Sequence, residues 1–217
     1  MGKVKTGLLV TGGEAPERKW FDYVKNGYEL VVAADSGVQT AMKMGVEIDY
    51  IVGDMDSIED KEILTNFRNE QILTYDEDKD FTDTELGLSV LEKNGCTRTC
   101  IVGGGGGRLD HLIGILSLFD RENGPDVWIT ESAVIMMIRD TLTLKGLRGS
   151  TVSFFPAGLR KSSMKSSGLK WPLDTLEWQK GDAGVSNMII SETAQVTMRT
   201  GRLILVGELE TLRGLQA

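Results

Sequence analysis

The sequence predicts a mixed α/β protein: an N-terminal doubly wound, mostly parallel, Rossmann-like sheet, then a C-terminal all-β unit of sandwich or barrel type. Two observations lead there. Before Pro125, short apolar runs alternate with longer segments of helical period, the pattern of βα units. After Pro125, β-rich runs follow one another with no convincing helix between them.

Taken in order, the apolar runs 7–10, 30–34, 50–52, 71–75 and 99–102 are the expected strands of the first sheet. Helices are expected at 14–25, 37–44, 60–67, 83–93 and 109–119; in the fourth, Leu86, Val90 and Leu91 fall near one face. The second half offers strands at 133–138, 151–155, 185–190, 194–198 and 202–206. Segment 158–168, rich in Lys, Ser and Gly, reads as a mobile surface loop. Runs 127–130 and 133–138 fit either region, because a last strand of the first sheet would look the same. With the boundary set near Asp140, the domains are 1–140 and 141–217.

Of 217 residues, 41% are hydrophobic and 26% charged, values of a globular chain that exclude disorder and collagen. A net charge of -8 is the opposite of what a phosphate-backbone footprint needs, so no nucleic acid partner is expected. Cys96 and Cys100 lack further Cys or His at metal-ligand spacing and read as reduced thiols. No stretch approaches the ~18 apolar residues of a membrane span. The expectation is a soluble, cytoplasmic protein with no membrane partner.

In an open α/β sheet, ligands bind beyond the carboxyl ends of the strands, so the turns there matter most. They are Gly12-Gly13, Asp35-Ser36-Gly37, Gly53-Asp54-Met55-Asp56-Ser57, the stretch 76–83, and 103–107 followed by Arg108. Between Asp54 and Glu85 twelve acids face three bases, a repulsion that favours a bound cation. If Asp54-Met55-Asp56 is extended, its two carboxylates point the same way and suit Mg²⁺. Read blandly, such acids only solvate the surface, with Asp54 or Ser57 capping a helix; their recurrence after successive strands favours the cation. The five glycines 103–107 with Arg108 could bring backbone N–H groups and positive charge to phosphates, although a plain flexible loop has the same composition. No Lys-Ser/Thr follows, so this is not a Walker loop. Asp110 reads as a helix cap or a site residue, the single histidine, His111, as structural, and Met136-Met137 as core filler.

Taken together, Gly53 to Ser57, Asp80-Phe81-Thr82-Asp83, Gly104 to Arg108 with Asp110, 167–171 and Val185-Ser186-Asn187 resemble the thiamine pyrophosphokinases, in the right order from about Asp35 to Val206. The resemblance implies a homodimer with active sites between subunits, joining an ATP- and Mg²⁺-binding α/β domain to a β-rich thiamine-binding domain. It implies transfer of pyrophosphate from ATP, the co-substrate, to the hydroxyl of thiamine, giving thiamine diphosphate and AMP. By position, Asp35, Asp54, Asp56, Asp80 and Asp83 would surround Mg²⁺ and the phosphates, with Asp54, Asp56 and Asp83 as metal ligands. Asp35, Gly104, Gly105, Gly106, Gly107 and Arg108 would hold the nucleotide and Asp110 would join the catalytic group. Trp171, Ser186 and Asn187 would form the thiamine pocket, Trp171 by stacking on the cationic substrate. Asp83 is one of several candidates to accept the hydroxyl proton, and the choice stays open. Where relatives often have Ala-Asp-Gly-Gly-Ala-Asn, this chain has Ala34-Asp35-Ser36-Gly37-Val38-Gln39. The alternatives are a Mg²⁺-dependent phosphohydrolase using Asp54 and Asp56, and a non-catalytic nucleotide or thiamine sensor.

Overall fold

A computed structural model describes residues 4–23, 27–58, 60–76, 78, 80–175 and 177–215. The chain forms two compact units, 1–115 with 128–131, and 116–127 with 132–217. The fold is mixed α/β, with a mostly parallel sheet in the first unit and antiparallel β-structure in the second.

The first unit runs β1 (Thr6–Val10), α1 (Arg18–Phe21), β2 (Leu30–Ala34), α2 (Gly37–Met44), β3 (Tyr50–Gly53), two 3₁₀ segments (Lys61–Asn66 and Asn69–Gln71), β4 (Ile72–Thr74), α3 (Asp83–Lys93), β5 (Arg98–Val102), α4 (Leu109–Leu118) and β6 (Val127–Ile129). The strands lie in the order β6-β5-β1-β2-β3-β4. β1 pairs in parallel with β2 and β5, and β3 with β2 and β4. The order reverses at β1, so the loops after β1 and β5 flank the switch point where such sheets bind ligands. All five residues of β2 are buried, as a strand covered on both faces requires. Helix α3 packs on β1, β2 and β3, with Val90 and Leu91 buried and Leu86 half-buried. Gly87 allows that approach: a Cβ there would lie 2.4 Å from a Leu9 methyl.

Two expected helices are corrected. Over 14–25 the described residues hold one turn, α1, because Glu14 bridges to Gly105 and Pro16 removes an N–H and disfavours helix before it; Val24 and Lys25 lie outside the described residues. Over 60–67 the helix is a 3₁₀ segment with no buried residue, so no apolar face holds an α-helix in place. Its N-cap is Asp60, whose carboxylate accepts the Glu62 N–H at 3.0 Å, in place of the expected Asp54 or Ser57.

The second unit contains β7 (Ala133–Ile138), β8 (Thr141–Lys145), β9 (Thr151–Ala157), β10 (Ser163–Ser167), β11 (Gly184–Met188), β12 (Thr193–Thr200), β13 (Arg202–Glu208) and a 3₁₀ segment (Leu209–Leu215). One antiparallel sheet has the order β11-β9-β13-β7, the other β10-β12-β8. The 3₁₀ segment packs against β8 of one sheet and β7 and β13 of the other, burying Leu209 and Leu212. Segment 158–168, expected as a loop, contains β10. One inward side chain, the fully buried Met164, suffices to seat it, while Ser163 and Thr200 exchange a hydroxyl hydrogen bond at 2.8 Å. Strand β8, not expected, pairs with β12 over five residues.

The segment 116–127 is tied into this unit by Arg202, whose guanidinium donates to the carbonyls of Asp120, Arg121 and Glu122 at 3.0–3.1 Å. Asp120 accepts from the Gly158 N–H at 2.8 Å and from Lys180. Burial pushes the Asp120 carboxyl up, but these donors outweigh it and hold it below its ordinary range.

Candidate active site

Three carboxylates converge beyond β2 and β3: one oxygen each from Asp35, Asp54 and Asp56 lies within 4.8 Å of the others. Backbone strain builds this arrangement. Asp35 continues the ladder, its N–H donating to Val52 at 2.8 Å, and then turns left-handed at φ +46°. Met55 is also left-handed, at φ +63°, so Asp54-Met55-Asp56 is not the extended segment expected. Instead Asp54 Oδ1 accepts the Asp56 N–H at 3.1 Å, and the buried Met55 side chain anchors the turn. The carboxylates still face one another, by a turn and not by strand alternation.

Gly53 sits at φ +140°, a conformation open essentially to glycine alone, and a Cβ there would come 3.2 Å from Asp83 Oδ1 and 3.3 Å from the Asp35 Cβ. Asp83, the first residue of α3, is thereby packed against Gly53, on the side of that glycine where the Asp35 side chain also lies. It is fixed by the Thr82–Glu85 capping box, in which Glu85 accepts the Thr82 N–H at 2.9 Å. Asp35 Oδ1 is buried and accepts no hydrogen bond among the described residues. An all-carboxylate donor set with such an oxygen suits a hard divalent cation. Asp80 lies outside the three-carboxylate group, exposed on the loop before the cap beside the half-exposed Phe81.

The glycine run after β5 is differently organised from the expected phosphate cradle. The Gly103 N–H donates to Ile129 at 3.0 Å, that of Gly104 to Gly12 at 2.6 Å and that of Gly105 to Glu14 at 3.0 Å. Three of the five N–H groups therefore close the loop onto 12–14 and β6, leaving those of Gly106 and Gly107 outside this pairing. Gly104, Gly106 and Gly107 have positive φ. The Glu14 side chain lies against Gly106 and the Glu131 carboxylate against Gly105. Sequence reasoning passed over both acids, yet Glu131 also follows a strand, the signal that marked the others. Ser36 fits because position 12 is glycine: a Cβ there would lie 2.2 Å from Ser36 Oγ.

Arg108 and Asp110 form an exposed two-point ion pair at 3.1 and 2.5 Å. The hydrogen bond from Arg108 lowers the Asp110 carboxyl to about 2.

In the second unit Trp171 stands 53% exposed, with the Lys170 ammonium 4.5 Å from its ring centroid. Ser186 is exposed and left-handed at φ +60°, its N–H donating to Ser153 Oγ at 3.0 Å. Asn187 is buried and joined to the Trp171 main chain through its side-chain amide, Nδ2 donating to the Trp171 carbonyl at 2.7 Å.

Residues 21–129 match the family model "Thiamin pyrophosphokinase, catalytic domain", and residues 139–205 match "Thiamin pyrophosphokinase, vitamin B1 binding domain". The chain belongs to the thiamin pyrophosphokinase family. Its activity is that of an ATP:thiamine diphosphotransferase. A curated relative, "Thiamine pyrophosphokinase 1" of Oryza sativa subsp. japonica, is 29% identical over 184 residues, 78% of this chain and 68% of the relative. The fold is that of the solved thiamine pyrophosphokinase from Bacillus subtilis, with TM-score 0.78 at 23% identity over 94% of this chain and 99% of that one. The thiamin pyrophosphokinase from Candida albicans is similar with TM-score 0.67 at 16% identity, over 94% of this chain and 89% of that one.

Proposed function

We propose that Asp35, Asp54 and Asp56, with Asp83 at their edge, hold Mg²⁺ for the transfer of pyrophosphate from ATP to thiamine. The observation that carries this is the convergence of three carboxylates around the buried, unbonded Asp35 Oδ1. Bound there, Mg²⁺ supplies positive charge to the polyphosphate oxygens. In the transfer, the thiamine hydroxyl oxygen bonds to the β-phosphorus. The bond from that phosphorus to the oxygen bridging toward the α-phosphorus breaks, AMP leaves with that oxygen, and the hydroxyl proton passes to a base. Catalysis of this kind is mostly positioning and charge neutralisation, so these side chains contribute chiefly by where they are held.

The nucleotide is assigned to Asp35, Gly104, Gly105, Gly106, Gly107 and Arg108, with Asp110 holding Arg108 and Asp80 near the phosphates. Because Gly104 and Gly105 donate within the protein, they serve by allowing close approach. Trp171, Ser186 and Asn187 are assigned to the thiamine side, with catalysis proposed for residues 1–140 and thiamine binding for 141–217. The protein is further proposed to work as a cytoplasmic homodimer. Two buried thiols outside any disulfide, Cys96 and Cys100, agree with a reducing compartment. The exposed apolar residues Leu109, Ile113 and Leu116, on one face of α4, agree with a subunit contact. No helix among the described residues is long and apolar enough to cross a membrane.

The test is nucleotide chromatography of the protein incubated with ATP and Mg²⁺, with and without thiamine. AMP formed one-for-one with thiamine diphosphate, only when thiamine is present, is the expected result, and Asp54→Asn is expected to reduce it by orders of magnitude. ADP or free phosphate without acceptor would instead indicate the hydrolase, and near-normal turnover in Asp54→Asn would remove that residue from the metal site.

A further inference from the structure

The segment 168–170 runs antiparallel to 188–190: the Ile190 N–H donates to the Gly168 carbonyl and the Lys170 N–H to the Met188 carbonyl, both at 2.8 Å, and Leu169 bridges Ile189. One residue further the main-chain ladder cannot continue. Pro172 has no N–H, Ser186 is turned left-handed, and the register of β11 on its other neighbour, β9, breaks between Gly184 and Asn187.

The side chain of Asn187 takes over at this point. Its Oδ1 accepts the N–H of Trp171 at 3.2 Å and that of Met188 at 2.8 Å, while Nδ2 donates to the Trp171 carbonyl at 2.7 Å. A carboxamide carries the donor and acceptor of a peptide group, so it replaces the missing strand neighbour. The two N–H groups facing Oδ1 determine which end of the amide is oxygen. With two N–H groups on that oxygen and 4% exposure, Asn187 has little left to offer a ligand, whereas Trp171 is 53% exposed.

We infer that Asn187 is a positioning residue that binds thiamine only indirectly, by clamping the main chain of Trp171 so that the indole face is held ready for the substrate. This rests on the reading in which Trp171 stacks on thiamine, and it differs from a direct hydrogen bond between Asn187 and the substrate. The Lys170 ammonium lies over the same ring, so the clamp sets the position of the aromatic surface and its neighbouring charge together.

The experiment is a double-mutant cycle with Asn187→Ala and Trp171→Ala, reading KM for thiamine, KM for ATP and kcat. Trp171→Ala leaves the clamped peptide in place and removes only the ring. Asn187→Ala is expected to raise KM for thiamine about 3- to 30-fold, the range of a lost aromatic contact to a cation, with KM for ATP and kcat within twofold. In the Trp171→Ala background it is expected to add less than twofold. If its full factor reappears there, Asn187 touches thiamine directly and the positioning role is overturned. An unchanged thiamine KM in Asn187→Ala beside an impaired Trp171→Ala overturns it equally. If Trp171→Ala itself binds thiamine normally, the stacking reading is what fails. Should Asn187→Ala not fold, Asn187→Ser serves in the same cycle, because its neutral hydroxyl keeps a polar group at the position but is too short to bridge both the N–H and the carbonyl of Trp171.

Discussion

Replacing Asp35 by Asn removes one charge from the three-carboxylate cluster with little change of shape, and the structure allows the consequence to be estimated. At the 4.8 Å limit separating the carboxylate oxygens, two unit charges repel by about 3.5 kcal/mol at an effective dielectric near 20. Solvent screening at the exposed Asp56 reduces that, and a net relief of about 1 to 2 kcal/mol is the reasonable expectation. The backbone adds no penalty, because Asn tolerates the left-handed region at least as well as Asp, and residue 35 sits at φ +46°. For a chain of this size about 1 kcal/mol corresponds to roughly 2–4 °C. In chelator, Asp35→Asn should therefore melt about 2–8 °C above the parent protein. In Mg²⁺ the order should narrow or invert, because the parent gains stability by binding the ion and the variant gains less. Turnover should fall at least about a hundredfold, as removal of a preorganised charge from such a site does. Thermal melts across a Mg²⁺ titration measure all but the last. A variant that melts below the parent in chelator, or shows an undiminished Mg²⁺-induced shift, would refute the account of Asp35 as a strained, repelled metal ligand.

Gly37→Ala should cost about 2–4 kcal/mol, since its Cβ would lie 2.2 Å from the Val10 carbonyl oxygen and 2.9 Å from the Thr11 Cα, both rigid backbone; denaturant melts within 1 kcal/mol of the parent would contradict the close packing of α2 on β1. Arg202→Ala should destabilise by about 2–3 kcal/mol and Arg202→Lys should restore little, because three carbonyls are held by a planar fork that an ammonium cannot reproduce; full rescue by Lys would show that charge alone matters. The Asp110 carboxyl should titrate by NMR at about 2 and return toward the ordinary 3.8 in Arg108→Gln. Its folded-state value is depressed, so the stabilisation from this pair is complete above the unfolded value and disappears as pH falls through about 2; a titration near 3.8 in the parent would mean that the pair does not persist in solution.

The local rules of the chain made much of this architecture readable. Helices α2 and α3 start and stop where the sequence predicts, α3 because Thr82 and Glu85 form a capping box within four residues. Strands β2 and β7 coincide with their apolar runs. Asp35, Asp54 and Asp56 were identifiable because adjacent parallel strands carry whatever follows them to the same edge of the sheet. What the sequence left open depends on partners distant along the chain. Period-2 alternation with one apolar residue is too weak to mark β10 until β12 is beside it. The glycine run looks like five equivalent backbone donors until the N–H groups of Gly103, Gly104 and Gly105 are found bonded to Ile129, Gly12 and Glu14. Composition cannot show that Met55 turns left-handed or that Asn187 substitutes for a strand at Trp171. Hydrophobic period and capping are properties of neighbouring residues, and the sequence by itself determined what rests on them. Which donor meets which acceptor depends on contacts between segments as much as ninety residues apart, as with Gly12 and Gly104, and only the tertiary structure decided those.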